Sequence, residues 1–356
     1  MERTSASMIR VSALVIYVRI LLFGALCLCP VLIWAGDEAA ESCADAALDF
    51  GFYAFFDPVS YSADEDPESE GFHTHLGYEA DLLTALEAME GAGLAFARHP
   101  IPVFDEIWLR SSSPEHDIVG GGITILDSRR HDVTGQERVI FTSGHIIFRQ
   151  SLLTRAEDEV LLNSYDKLNS DLRVGALPGT TGEFRLLELT GLVDEAGVLA
   201  AGVQVDTPQG TVVADGSDDY VITPAGESPS LAERSALHPP AEGMPQVVYL
   251  GHDGGESELI AALHAKTIDA FARGDLGNQA AAHASGASLV VAARDDKIEY
   301  GGFTVDINAP ALAACLDEKI NWLTDSRSIG FSDWVADPTV FLARAEIWNK
   351  GREQVD

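Results

Sequence analysis

Apolar and polar positions follow one another along this chain in a pattern that repeats. Ala47 to Phe56 is apolar and aromatic and reads as a strand that runs into a loop, and the acidic stretch Ser60 to Glu70 reads as a surface loop. From Tyr78 to Met89, the residues Leu82, Leu83, Leu86 and Met89 fall on one face of a helix. A strand at Leu94 to Ala97, a short helix around Phe104 to Leu109 and a buried strand at Asp117 to Val119 follow. Strand, helix and strand in that succession predict a βαβ sheet with helices on its faces.

After Arg149 the cycle restarts with a strand at Arg173 to Ala176, the turn Pro178-Gly179-Thr180-Thr181 and a helix from Glu183 to Leu192. An irregular insert, about residues 202–245, has alternating valines and turn signals such as Asp215-Gly216, and reads as a hairpin and loop decorating the second unit. A strand Val247 to Leu250, a helix Glu256 to Lys266 and a strand Ile268 to Phe271 resume the pattern, and helices at Ala309 to Leu323 and Thr339 to Asn349 end it.

The first residues carry a different signal. Arg3, Arg10 and Arg19 precede an uncharged run from Ile20 to Trp34 that ends at the small residues Ala35 and Gly36, the layout of a secretory signal peptide over residues 1–35. The run is shorter than the roughly 20 apolar residues of a membrane span, and the alternative, an uncleaved anchor reaching back to Val11, would bury Arg19. Without that segment about 320 residues remain, more than one compact core usually holds, so two domains are expected.

Charge narrows the partners. The whole chain has a formal net charge of −33, and without residues 1–35 it has 20 basic against 55 acidic residues. Such a surface repels nucleic acid and anionic lipid. Two of the four cysteines, Cys27 and Cys29, lie in the N-terminal segment, leaving Cys43 and Cys315. One pair in an oxidising compartment suggests one disulfide, with two separate thiols as the alternative. No CxxC or HxxxH spacing occurs, so neither a metal nor another cofactor is expected.

The segment richest in chemistry is Asp117-Ile118-Val119-Gly120-Gly121-Gly122-Ile123-Thr124-Ile125, with Arg129 shortly after it. Glycines after a strand let backbone approach a ligand closely, and a guanidinium offers a planar fork that matches a carboxylate. Alone, these residues read as a turn followed by a solvated charge.

Their neighbours give the segment a context. The aromatic loop Tyr53-Ala54-Phe55-Phe56, the helix start Gly77-Tyr78-Glu79-Ala80-Asp81-Leu82 and Phe104-Asp105-Glu106-Ile107 precede it, and Phe141-Thr142-Ser143-Gly144-His145 follows. Val174-Gly175-Ala176-Leu177-Pro178-Gly179-Thr180-Thr181 comes next, then Asp269-Ala270 with Asp275. In this order the set resembles periplasmic solute-binding protein family 3, the amino-acid-binding proteins of ABC importers, over nearly the whole chain after the N-terminal segment. The chain departs from that pattern at Leu126, at His145, in the insert and in the longer spacing from Asp269 to Asp275.

The resemblance implies an α/β, two-lobed periplasmic-binding-protein-like fold of type II, each lobe a βαβ sheet flanked by helices. Residues 44–148 and 303–350 would form the first lobe and residues 149–302 the second, with two hinge strands near Ile146 to Leu153 and Tyr300 to Val305. It implies that Arg129 and Thr124 hold the carboxylate of an amino-acid-like ligand and that Gly122 and Asp275 meet its ammonium. Tyr53 and Phe56 would pack on its side chain, and backbone N–H groups at Thr180 and Thr181, at a helix N-terminus, would close over the carboxylate. A monomeric periplasmic binder that passes its ligand to an ABC transporter permease, with no catalysis, is the function implied. Two alternatives share the fold: an enzyme like the cyclohexadienyl dehydratases, with Asp275, Glu183 or His145 as the acid, and a binder that feeds a membrane sensor.

Overall fold

The structure is a computed structural model and describes residues 42–250 and 255–352. The N-terminal segment read as a signal peptide lies outside the described residues.

Two sheets organise the chain. The first has five strands in the order Phe96–Ile101, Leu48–Tyr53, Ile118–Gly120, Thr304–Asp306, Val139–Phe141. Its first three strands are parallel, and Thr304–Asp306 returns antiparallel to both of its neighbours. Parallel strands need cover on both faces. Here α1 (Tyr78–Ala88) and the C-terminal helices supply one side, where Phe50, Leu82, Leu86, Leu316, Ile320 and Phe341 share a core. Tyr53, Ile107, Trp108, Val119, Ile123 and Phe141 form a second cluster.

The second sheet has eight strands, in the order Gly210–Val213, Gln204–Thr207, Ala236–His238, Gln246–Val248, Arg173–Gly175, Ala270–Gly274, Gln150–Arg155, Leu289–Arg294. Helix α2 (Thr181–Leu189) packs Leu186 and Leu187 with Val174 and Ala270. Helices α3 (Glu256–His264) and α4 (Asp275–Ala284) join a cluster with Leu153, Phe271 and Leu289. The chain passes from one sheet to the other through Ile146–Phe148 and returns through Glu299–Gly301, and these two short strands pair antiparallel. They fall in the stretches read as crossings. Helices α5 (Pro310–Leu323), α6 (Phe331–Ala336) and α7 (Val340–Arg352) complete the first lobe, and Cys43 is bonded to Cys315 on α5 across a Cα separation of 5.6 Å.

Several elements differ from the sequence reading. The insert is more than a decorating hairpin: Gln204–Thr207, Gly210–Val213 and Ala236–His238 extend the second sheet, because Val203, Val205 and Leu237 bury into its core. A further hairpin, Ile222–Thr223 with Gly226–Glu227, projects from it. The strand expected at Leu94 to Ala97 runs from Phe96 to Ile101 and contains Pro100, tolerable because this is an edge strand. The short helix expected at Phe104 to Leu109 is a 3-10 turn over Ile107–Ser112, and α2 ends three residues early, at the cap Thr190 before Gly191. Within the stretch read as a loop, Ser60–Ser62 pairs with Phe55–Phe56 and His75–Leu76. Among the described residues no helix is long and apolar enough to cross a membrane.

Candidate functional site

The site lies where the ends of the two sheets approach. From the first lobe comes the glycine turn after Ile118–Gly120. Gly121 and Gly122 have φ of +137° and +67°, and a Cβ on Gly121 would stand 2.4 Å from the Cβ of Tyr53. A side chain there would push the turn off Tyr53 and Phe56, so glycine is what lets backbone and aromatic rings meet. Gly122 N donates to Glu79 Oε1 at 3.0 Å, and the same buried oxygen lies 3.0 Å from His145 Nε2. The turn is thereby tied to α1 and to the crossing segment.

The second lobe contributes the start of α2. The Thr180 hydroxyl caps this helix by accepting from Glu183 N at 3.1 Å. The buried Glu183 accepts from Gly179 N (2.8 Å) and the Tyr249 hydroxyl (2.6 Å) and forms an ion pair with Arg234 of the insert. Arg234 also pairs with Glu227 and stacks over Tyr249, 4.7 Å from its ring centre. Between the lobes the hydroxyls of Thr124 and Thr181 are 3.2 Å apart. Gln150 Nε2 donates to Thr181 Oγ1 (2.8 Å) and Glu299 Oε2 (2.6 Å), while Gln150 Oε1 is buried with no protein donor.

These groups surround a cavity of about 50 Å³, room for a few water molecules. Tyr53, Phe56, Gly122, Thr124, Thr180 and Thr181 all line it, together with Phe104, Phe148, Gln150, Glu256 and Arg273. A larger cleft of about 580 Å³ shares Tyr53, Phe104, Leu177 and Glu256 with it and has Glu65, Asp105, Glu227, Glu233 and Glu258 along its walls with Arg234. Burial raises the Tyr53 hydroxyl above the ordinary tyrosine range, against the pull of Arg273, so this phenol stays protonated.

Six of the eight residues named from the sequence are therefore gathered; Arg129 and Asp275 are not among the lining residues. Arg129 is fully buried beside the cavity. It donates from Nε to Pro224 O (2.9 Å), from Nη2 to Gly179 O (2.9 Å) and from Nη1 to Thr124 O (3.4 Å). Its guanidinium carbon stands 4.4 Å from the Trp108 ring centre. Burial brings its pKa down to about 9, with Glu299 acting the other way, so it remains charged at neutral pH.

Asp275 is the first residue of α4, where a carboxylate suits the helix dipole. It accepts from Arg149 N at 3.1 Å and lies 3.5 Å from Arg294 Nε. The structure does not bring Arg129 and Asp275 face to face across the gap. The strand Ala270–Gly274 instead sends Arg273 toward the cleft. This guanidinium pairs with Glu256, donates to Asn278 Oδ1 at 3.0 Å and stacks over Phe271. Burial lowers its pKa to about 9.

Sequence reasoning missed Glu79, Gln150, Glu256 and Arg273. The one available signal was spacing: Asp275 falls one residue beyond the expected position, which shifts the residues facing the cleft toward Arg273 and Gly274. The three acids considered for dehydratase chemistry, Asp275, Glu183 and His145, all hold internal partners. Among the described residues no group of three or more His, Cys, Asp or Glu is arranged to hold a metal ion.

No protein-family model matches the chain, and no curated protein matches it. Solved structures do. An amino acid ABC transporter substrate-binding protein from Streptococcus pneumoniae, bound to L-arginine, is 15% identical with a TM-score of 0.54, covering 84% of this chain and 96% of that one. The arginine-binding protein of T. maritima in its holo form is 16% identical with a TM-score of 0.51, covering 78% and 90%. An ancestral amino-acid-binding protein described as a precursor of cyclohexadienyl dehydratase is 16% identical with a TM-score of 0.51, covering 85% and 95%.

Proposed function

We propose that this chain, which has the two-lobed α/β fold of these binding proteins, is an extracytoplasmic solute-binding protein of family 3 that captures an amino acid or a similar small zwitterion between its lobes and hands it to an ABC transporter permease. The observation that carries this reading is the convergence of six motif residues from both lobes on one cavity, with an unsatisfied acceptor at its wall. Thr180 N donates to Leu177 O at 3.4 Å, so of the two N–H groups expected from the sequence Thr181 remains, and with Gly182 it offers the start of α2 to an anionic end. Gln150 Oε1 and the Glu256 carboxylate can accept from an ammonium group, and Tyr53, Phe56, Phe104 and Phe148 can pack on an apolar chain. The cavity as it stands is smaller than an amino acid, so the lobes part about the paired crossing strands for a ligand to seat and then close around it, and the ligand stabilises that ligand-filled closed form.

Binding is favoured over proton transfer because no acid named for catalysis is left to face the cleft. A thermal-shift panel of the proteinogenic amino acids and their simple derivatives tests the reading. At least one should raise the melting temperature by several degrees in a concentration-dependent way. A flat response across the panel would remove the proposal, and turnover of prephenate or arogenate would replace it with the enzymatic one.

A further inference from the structure

The hairpin Ile222–Thr223/Gly226–Glu227 projects from the insert and places Pro224-Ala225 at its tip. Ala225 packs on the first-lobe cluster that includes Trp108 and Phe141, and the Pro224 carbonyl accepts a hydrogen bond from Arg129 Nε. With Gly179 O and Thr124 O on the other nitrogens and Trp108 over its face, this guanidinium has the set of acceptors that a bound carboxylate would otherwise supply. Among the described residues, the arginines on the walls of the site are Arg234 in the larger cleft and Arg273 in the smaller cavity, and each is ion-paired, Arg234 with Glu183 and Glu227 and Arg273 with Glu256. The larger cleft also carries the carboxylates of Glu65, Asp105 and Glu258, and the smaller cavity holds Gln150 Oε1, a buried acceptor with no protein donor.

Building on the binding role set out above, we propose that the hairpin carbonyl stands in for a ligand carboxylate at Arg129, and that the cleft selects its ligand by a cationic end, an alkylammonium or guanidinium chain. A carboxylate on that ligand meets only the N-terminus of α2, and its removal costs little.

Calorimetric titration of the full chain with three probes tests this. L-arginine carries both groups, agmatine lacks the carboxylate, and L-citrulline lacks the side-chain charge. The expected result is agmatine within about tenfold of L-arginine, the scale of a helix-terminus contact, and citrulline weaker by more than about thirtyfold. The pair L-lysine and cadaverine repeats the comparison on an ammonium chain. A loss of a hundredfold or more on removing the carboxylate, or tight binding of neutral amino acids alone, overturns the inference while leaving the binding reading intact. Silence from every amino acid and amine defeats the binding reading itself. Replacing residues 222–227 with Gly-Gly, or seating a bulky ring with Ala225→Trp, frees Arg129 and should raise the preference for arginine over agmatine at least tenfold. An unchanged preference in both folded variants overturns the role given to the hairpin.

Discussion

Replacing Arg129 by methionine in the ligand-free protein separates a guanidinium that the protein itself satisfies from one held ready for a ligand. The substitution keeps an unbranched chain beside Trp108 and removes three N–H donors from the buried carbonyls of Gly179 and Thr124 and the half-buried one of Pro224. Each abandoned acceptor costs about 1–3 kcal/mol when buried, and the lost stacking about another 0.5–1 kcal/mol, while relief from burying a charge offsets part of this. The net is a destabilisation of about 3 kcal/mol, equivalent to about 5–10 °C in melting temperature for a chain of this size. Thermal melts followed by tryptophan fluorescence measure it directly, since Trp108 is the stacking partner. An arginine waiting in an open cleft would behave like a surface residue, changing stability by less than about 0.5 kcal/mol. A melting temperature within about 1 °C of the parent, with ligand binding abolished, would mean instead that the guanidinium is held ready for a ligand.

Other outcomes follow from the same geometry. His75 is buried against the Phe52 ring and 3.0 Å from Ser60 Oγ; burial, and to a lesser degree Arg98, lower its pKa from 6.5 to about 3. The unfolded chain then takes up a proton below pH 6.5 that the folded chain refuses until about pH 3, so stability falls as pH drops through that window. Melting at pH 7, 6 and 5 should show a loss approaching about 1.4 kcal/mol per pH unit from this group, and His75→Phe should flatten the trend. The Cys43–Cys315 bond closes a separation of 272 residues, for which chain entropy gives a stabilisation of about 5 kcal/mol, so reduction or Cys43→Ser should lower the melting temperature by more than about 5 °C. Gly121→Ala forces a Cβ against Tyr53 at a φ of +137° and should cost about 2–3 kcal/mol in the same melts while weakening any ligand that stabilises the parent.

Much of the fold was legible because its cores rest on periodic apolar runs. Leu82, Leu83 and Leu86 mark the buried side of α1, and the alternation of strands and helices announced two sheets. Helix α4 was missed because its sequence, Asp275 to Ala284, buries little beyond its first turn and so carries no wide apolar stripe. The insert hid its three added strands because one of them, Gly210–Val213, is largely exposed and the others are short. At the site, residues within one motif were found together, as with Gly122 and Thr124. Contacts made across long separations were not legible: the bonds from Arg129 to Pro224 and from Gln150 to Glu299 join positions 95 and 149 residues apart. The arginine was singled out for its guanidinium, but the sequence carried no sign of which acceptors would reach it.

Closure of both lobes on one small ligand, at the cavity between Gly122 and Thr181, is what the proposed function requires. Hydrogen–deuterium exchange of the full chain, with and without a saturating amount of the amino acid or amine that the thermal-shift panel selects, tests it most directly. Closure on a ligand should slow exchange in two separate stretches at once, residues 121–124 of the first lobe and residues 180–183 of the second, together with the paired crossing strands at 146–148 and 299–301. Protection confined to one lobe, or to a surface away from both stretches, would contradict it.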